Sequence, residues 1–207
     1  DRDWSSDVCS SDLAPPRLYI ACDGAREHKR GEKEKVQETR ELVLKNIDWE
    51  CEVNTLFRDN NLGCKEAVST AITWFFENEE MGIILEDDCL PSQSFFPFCE
   101  ELLIKYKDDT RIWLIGGTNF LSKFHLENSP KYYFSKYDRS WGWASWRRAW
   151  KNYDKKLSLW PEIKNANVLK NILYSDKEAK MYNHIFEQTY QGKIDTWDYQ
   201  WLFTVLI

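Results

Sequence analysis

The chain has 207 residues, of which 43% are hydrophobic and 30% charged; this length suits one domain, and the balance excludes an intrinsically disordered chain. Its net charge of −6, from 28 basic and 34 acidic residues, argues against a nucleic-acid surface, which needs a basic stripe. No apolar run reaches the length of a membrane span and no signal peptide is evident, so we expect no membrane span in this piece of chain.

Apolar runs and helical spacing predict alternating strands and helices after residue 13. The predicted strands are 17–22, 51–57, 81–85, 111–115 and 131–137. The predicted helices are 36–45, 65–77, 94–106, 146–151, 168–174, 177–191 and 197–207. This alternation predicts an α/β domain with a mostly parallel central sheet flanked by helices. Strand 81–85 is continuously apolar, as expected of a central parallel strand that is covered on both faces.

Both ends of the chain are unusual. Residues 1–13 repeat Ser-Ser-Asp without strand or helix periodicity and resemble a translated sequencing adapter, so we treat them as non-native. Segment 197–207 reads as a helix that stops while it is still apolar. We therefore expect residues 14–207 to be a single domain truncated at both ends, and we expect this polypeptide to be unstable or inactive.

The six cysteines show neither CxxC pairs nor the Cys/His spacing of a zinc site. They also form no recognisable disulfide framework, which favours free thiols in a reducing cytosol. We therefore expect a cytoplasmic location, which includes a peripheral position at the inner membrane.

Three acidic residues, Glu86, Asp87 and Asp88, follow directly on predicted strand 81–85. Ligands of open α/β sheets bind beyond the carboxyl ends of the strands. A divalent cation relieves the repulsion and desolvation of clustered carboxylates, and their hard oxygen atoms suit Mn²⁺ or Mg²⁺ bridging to a diphosphate. The alternative is a solvated strand end that begins a turn, with Asp88 or Ser92 capping the next helix.

The segment Ile-Leu-Glu-Asp-Asp-Cys-Leu-Pro-Ser at 84–92, followed by two phenylalanines, resembles the acidic motif of glycosyltransferases with the GT-A fold. It is most similar to the N-acetylglucosaminyltransferase I family and its bacterial relatives. Further blocks agree with that family in their order along the chain, namely 20–24, 58–63, 140–146 and 192–201. The resemblance covers residues 17–207 and implies a GT-A fold.

The resemblance also implies roles on the donor side. Asp88 would be the direct metal ligand, while Glu86 and Asp87 would bind hydroxyls of the nucleoside and donor sugar. Asp23 matches the position that contacts the nucleotide base, unless it only forms an Asp-Gly turn. Arg58 would face the nucleotide or pair with a local carboxylate.

On the acceptor side, block 140–146 lies where the family shapes its acceptor pocket. Gly142 would allow close backbone approach, and Trp141 and Trp143 would stack on a sugar ring; core packing of at least one of these tryptophans is the alternative. A surplus of aromatic residues, with eleven Trp and ten Tyr, also suits sugar or nucleotide binding.

The family inverts the anomeric centre by direct displacement, in which a carboxylate takes the proton of the acceptor hydroxyl. Asp195 and Asp198 are the candidate bases, with Asp198 slightly favoured because Trp197-Asp198 resembles the Trp-Asp pair of the N-acetylglucosaminyltransferase I family. One of the two could simply cap the final helix.

Together these features predict an inverting, metal-dependent glycosyltransferase. The donor would be a nucleotide-diphosphate sugar such as a UDP-sugar, and the acceptor a glycan or lipid-linked hydroxyl in bacterial polysaccharide synthesis. One alternative is a sugar-1-phosphate nucleotidyltransferase, which needs neither block 140–146 nor the late acidic pair. Another is a non-catalytic carbohydrate-binding domain, which does not need carboxylates after a buried strand.

Overall fold

A computed structural model describes residues 14–119 and 132–207. The chain divides into two compact units, Asp1–Phe75 and Phe76–Ile207. The non-native segment predicted at 1–13 lies outside the described residues, and the single domain predicted for 14–207 stays a prediction. Within the described ranges, no helix has both the length and the apolar character that crossing a membrane requires.

The first unit is built on a parallel strand pair. Strands β1 (Arg17–Cys22) and β2 (Glu52–Phe57) are joined by helix α1 (Glu32–Lys45), because parallel neighbours need a long crossover connection. Their register places Arg17 opposite Glu52. Helix α2 (Gly63–Asn78) follows β2, and Tyr19 of β1 contacts the rings of Trp74 and Phe75 edge-on, at centroid distances of 5.1 and 5.2 Å.

The second unit contains a three-stranded sheet and several helices. Its strands are β3 (Met81–Ile84), β4 (Leu114–Gly116) and β5 (Trp143–Trp146). Helix α3 (Phe95–Lys105) lies between β3 and β4 in the chain. The later helices are α4 (Arg147–Trp150), α5 (Trp160–Asn165), α6 (Val168–Ile172), α7 (Asp176–Tyr190) and α8 (Asp198–Leu206).

The sheet of the second unit is antiparallel, and the prediction of a mostly parallel central sheet was wrong there. Strand β5 lies between β3 and β4 and runs antiparallel to both. Its register with β3 pairs Met81 with Trp146 and Ile84 with Trp143. The structure is therefore mixed α/β with small sheets, one of which is a parallel pair.

Strand β5 itself was missed because its four residues, Trp-Ala-Ser-Trp, are too few for a period to be recognised. All four are buried, and the helix predicted from residue 146 begins at Arg147 instead. The strand predicted at 131–137 does not form over 132–137, and residue 131 lies outside the described part of the chain.

Two apolar clusters and a group of stacked tryptophans hold the second unit together. One cluster packs α3 against the sheet through Phe95, Cys99, Leu102, Leu103, Ile115, Ala144 and Trp146. The other joins the later helices through Leu157, Trp160, Leu169, Leu173, Ala179, Phe186, Leu202 and Phe203. Trp143 of β5 stacks on Trp197 at 5.8 Å and 19° and also contacts Trp201 at 5.8 Å. These contacts fix the start of α8 against β5.

Candidate active site

The acidic segment after β3 forms a turn that contacts the start of α8. The Cys89 N–H donates to the Glu86 carbonyl at 3.0 Å, and the side chains of Asp87 and Asp88 are exposed while Glu86 is half-buried. The indole Nε1–H of Trp197 donates to Glu86 Oε2 at 3.3 Å. This hydrogen bond joins the predicted donor-binding segment to the segment with the two candidate bases, and its two residues are 111 apart in sequence.

Three acidic side chains lie near enough to Glu86 to affect its pKa. Burial raises the pKa of Glu86, the hydrogen bond from Trp197 lowers it, and the negative charges of Asp88, Asp198 and Asp87 raise it further. Asp198 of α8 therefore lies within electrostatic range of the acidic turn. Negative charge gathered in this way is the arrangement that a bound cation relieves.

Of the two candidate bases, Asp198 is the one whose charge acts on Glu86. Asp198 is the first residue of α8 and its Oδ1 accepts a hydrogen bond from Thr196 Oγ1. Asp195 is exposed and is not among the charges that shift the pKa of Glu86. The N-cap residue of α8 is Trp197, so neither carboxylate occupies the capping position that was the alternative explanation.

A further carboxyl group, Asp138, was missed from the sequence. Its residue is only 9% exposed, and burial, followed by the charge of Asp198, raises the pKa of Asp138 to about 7, an effect that Arg139 partly offsets. The one signal in the sequence was its position two residues before block 140–146. A single acidic residue just after a segment predicted as a strand did not suggest burial near another carboxylate.

A cavity of about 260 Å³ opens beside the acidic turn. It is lined by Asp88, Cys89, Leu90, Pro91, Ser92, Phe95, Gly117, Thr118, Trp141 and Gly142. The predicted metal ligand Asp88 thus shares one cavity with Trp141 and Gly142, which were predicted for the acceptor side. Whole small-molecule sites are typically about 300–1,000 Å³, so this cavity is slightly smaller than such a site.

Two glycines shape the wall of this cavity. Gly117 donates its N–H to the Gly142 carbonyl at 2.8 Å, and a Cβ at Gly117 would lie 2.4 Å from the Phe95 ring. Gly142 has a φ of +69°, a left-handed conformation that side chains disfavour. Thr118 Oγ1 donates to the Trp141 carbonyl at 2.9 Å. Gly117 and Thr118 therefore both hold the turn that contains Trp141 and Gly142.

The two tryptophans predicted for the acceptor side have different positions. Trp141 is 61% exposed, whereas Trp143 is 1% exposed. Trp143 is buried against the rings of Trp150, Trp197 and Trp201, so the prediction that it stacks on a sugar was wrong. For Trp143 the core alternative is correct, and only Trp141 offers an open ring to a ligand.

Asp23 and Arg58 lie in the first unit, where both have structural partners. The Asp23 carboxylate accepts from the N–H groups of Leu62 at 3.0 Å and Gly63 at 3.1 Å, and so it caps the start of α2. Arg58 Nη2 donates to Thr70 Oγ1 at 2.7 Å, a hydroxyl rather than the carboxylate that was one of the two alternatives. Nucleotide contact by either residue stays a prediction.

The carboxylate oxygens of the acidic turn are suitable ligands for a divalent cation that is bound together with a diphosphate. Among the described residues, no group of three or more His, Cys, Asp or Glu side chains is arranged to hold a metal alone. Mg²⁺ in nucleotide sites needs only one or two protein carboxylates, because phosphate oxygens and waters complete its shell. The exposed carboxylates of Asp87 and Asp88 satisfy that smaller requirement.

Comparison of the chain with protein-family models, curated proteins and solved structures gave no match. The glycosyltransferase resemblance therefore rests on the sequence motifs alone. The case for a function depends on the geometry of the site.

Proposed function

We propose that this chain carries the donor and catalytic region of an inverting, metal-dependent glycosyltransferase that uses a nucleotide-diphosphate sugar. The observation that carries the proposal is the hydrogen bond between Trp197 and Glu86. It joins the acidic turn to the segment that holds Asp198, so a cation-binding carboxylate group and a candidate base belong to one site. A solvated strand end that merely begins a turn has no need of this contact.

On the donor side, Asp88 would hold Mn²⁺ or Mg²⁺ as first expected, and Asp87 is reassigned from hydroxyl binding to the cation because its side chain is exposed beside that of Asp88. When bound, the cation neutralises negative charge on the departing diphosphate. Glu86 is oriented by Trp197 and binds a hydroxyl of the nucleotide sugar. The exposed carboxylates of Asp87 and Asp88 are thus assigned to the cation, and the half-buried carboxylate of Glu86 is assigned to a neutral hydroxyl.

On the acceptor side, Asp198 takes the proton of the attacking hydroxyl. The acceptor O–H bond breaks and its proton passes to the Asp198 carboxylate, while the acceptor oxygen bonds to the anomeric carbon. The bond from that carbon to the diphosphate oxygen breaks in the same displacement, so the configuration inverts. The exposed ring of Trp141, on the wall shared with Asp88, stacks on a sugar of the donor or acceptor.

Binding of nucleotide sugars to the 207-residue chain tests this proposal, and a positive result also contradicts the expectation that this polypeptide is unstable or inactive. UDP-N-acetylglucosamine, UDP-glucose and UDP-galactose are each added with and without Mn²⁺, and thermal unfolding is followed. We expect stabilisation that requires Mn²⁺, by about 2.7 kcal/mol at a ligand concentration one hundred times the Kd. Asp88→Ala is expected to remove it.

Asp108→Ala serves as the matched control, because Asp108 is an exposed aspartate of the same unit outside the acidic turn. It should retain the Mn²⁺-dependent stabilisation. Absence of stabilisation with every nucleotide contradicts the proposal. Stabilisation by free sugars that persists in Asp88→Ala favours a carbohydrate-binding domain instead.

A further inference from the structure

A lysine and two tyrosines form a hydrogen-bonded cluster at the end of α3. Lys105 Nζ donates to the Tyr132 hydroxyl oxygen at 2.7 Å, and the hydroxyl oxygens of Tyr106 and Tyr132 are also 2.7 Å apart. The same ammonium group lies 5.3 Å from the centroid of each tyrosine ring. These three side chains are distinct from those that line the cavity beside the acidic turn.

The chemistry of the donors makes Tyr132 the acceptor of this cluster. An ammonium group can only donate, so the Tyr132 oxygen accepts from Lys105, and its second lone pair can accept the hydroxyl proton of Tyr106. Hydrogen bonds that stabilise the charged form of a group, together with an opposite charge nearby, favour ionisation of that group. The arrangement therefore stabilises the phenolate of Tyr132.

The electrostatics of the cluster agree with this geometry. The hydrogen bonds from Lys105 and from Tyr106 lower the pKa of Tyr132, and they outweigh burial and the negative charge of Glu101, which act in the opposite direction. The hydrogen bond to Tyr132 raises the pKa of Tyr106. The two phenols thus differ, and Tyr132 is the one that ionises more readily.

Aromatic rings surround this phenol on its apolar side. Phe98 and Phe134 contact the Tyr132 ring edge-on, at centroid distances of 6.4 and 5.9 Å. Phe134 is 67% exposed, Lys105 is exposed and Tyr132 is half-buried. An aromatic group that approaches from solvent therefore meets an open ring beside the hydroxyl, and aromatic pairs attract each other at such distances.

We propose that Tyr132 is a nucleophilic modification site for electrophiles that join an aromatic ring to a sulfonyl group. The phenol first loses its proton to solvent, and Lys105 and Tyr106 stabilise the phenolate that remains. The phenolate oxygen then bonds to the sulfonyl sulfur while the bond from sulfur to the leaving group breaks. With a sulfonyl fluoride, the products are an aryl sulfonate ester of Tyr132 and a fluoride ion. This inference does not depend on the proposed function.

Labelling of the 207-residue chain with benzenesulfonyl fluoride at neutral pH tests the site, with the modified residues identified by peptide mass spectrometry. Tyr133 is 54% exposed and Tyr174 is 81% exposed, so both are internal comparisons. We expect Tyr132 to be labelled faster than either by about threefold or more. The gain is moderate because, as for thiols, a larger ionised fraction is partly offset by the lower nucleophilicity of a more acidic group.

Variants of the two donors separate their effects from simple exposure. Lys105→Met removes the cation and should slow the labelling of Tyr132 by about threefold or more, and Tyr106→Phe should slow it less, because the ammonium donor remains. Lys107→Met is the matched control, since Lys107 is exposed in the same segment and pairs with Glu80 at 3.7 Å. It should leave the labelling rate unchanged.

The result can overturn the inference in several ways. Faster labelling of Tyr133, of Tyr174 or of Lys105 itself would do so, as would an unchanged rate at Tyr132 in Lys105→Met. Unfolding in urea should remove the preference for Tyr132, because the preference requires the folded cluster. A preference for Tyr132 that persists in urea would come from the local sequence and would also contradict the site.

Discussion

If the proposed function is correct, we expect Asp198→Asn to lower the turnover of nucleotide sugar by about 10²–10⁴-fold, the usual contribution of a general base, while nucleotide binding persists. Asparagine keeps the shape of the side chain and an oxygen that can accept from Thr196, but it cannot take a proton. The binding step depends on the acidic turn, which this change leaves intact. Steady-state release of UDP measures the first effect, and Mn²⁺-dependent thermal stabilisation measures the second.

Asp195→Asn is the comparison that shows which of the two aspartates is the base. Asp195 is exposed and outside the set of charges that act on Glu86, so we expect most of the turnover to remain. The reverse order of effects, with Asp195→Asn nearly inactive and Asp198→Asn active, would assign the base to Asp195 and contradict the site described above.

Trp143→Ala lowers the free energy of unfolding by about 3–5 kcal/mol, as is typical when a large buried side chain is removed from a core. Trp143 is 1% exposed and contacts Trp150, Trp197 and Trp201. Its loss leaves a cavity where β5 meets the start of α8. Denaturant unfolding followed by circular dichroism measures the change.

Trp141→Ala is the matched comparison, one glycine away in the sequence. Because Trp141 is 61% exposed, its removal should change stability by no more than about 0.5 kcal/mol and should instead weaken sugar binding in the cavity. Equal destabilisation by the two variants would contradict the conclusion that the Trp143 ring is buried and the Trp141 ring is exposed.

The sequence predicted most elements of the second unit but not their pairing. Met81–Ile84 was recognisable as a strand because it is a short apolar run. Its partner was not, since strand pairing depends on residues far away in the chain, and Trp143–Trp146 is too short to show a period. The parallel pair β1–β2 was easier to predict, because a helix joins two strands that are close in sequence.

The candidate site was predicted in part. Motif order placed Asp88 and Asp198 in one site, and the contact of Trp197 with Glu86 is consistent with that. The sequence could not tell Trp141 from Trp143, since both flank Gly142 and only the sheet decides which ring is buried. Asp138 could not be found because its burial depends on the packing of distant helices.

The central claim is that the acidic turn and the start of α8 form one cation-dependent nucleotide site. Its most direct test is the broadening of tryptophan indole resonances in NMR spectra by paramagnetic Mn²⁺ added with UDP. Such broadening falls steeply with distance from the ion. The Trp197 indole donates to Glu86, whereas the Trp160 indole donates to Glu187 Oε2 at 3.0 Å in the helical cluster.

We predict that Mn²⁺ with UDP broadens the Trp197 indole resonance first and leaves that of Trp160 sharp, and that Asp88→Ala abolishes the difference. A Trp197 resonance that stays as sharp as that of Trp160 when Mn²⁺ and UDP are added would contradict the site.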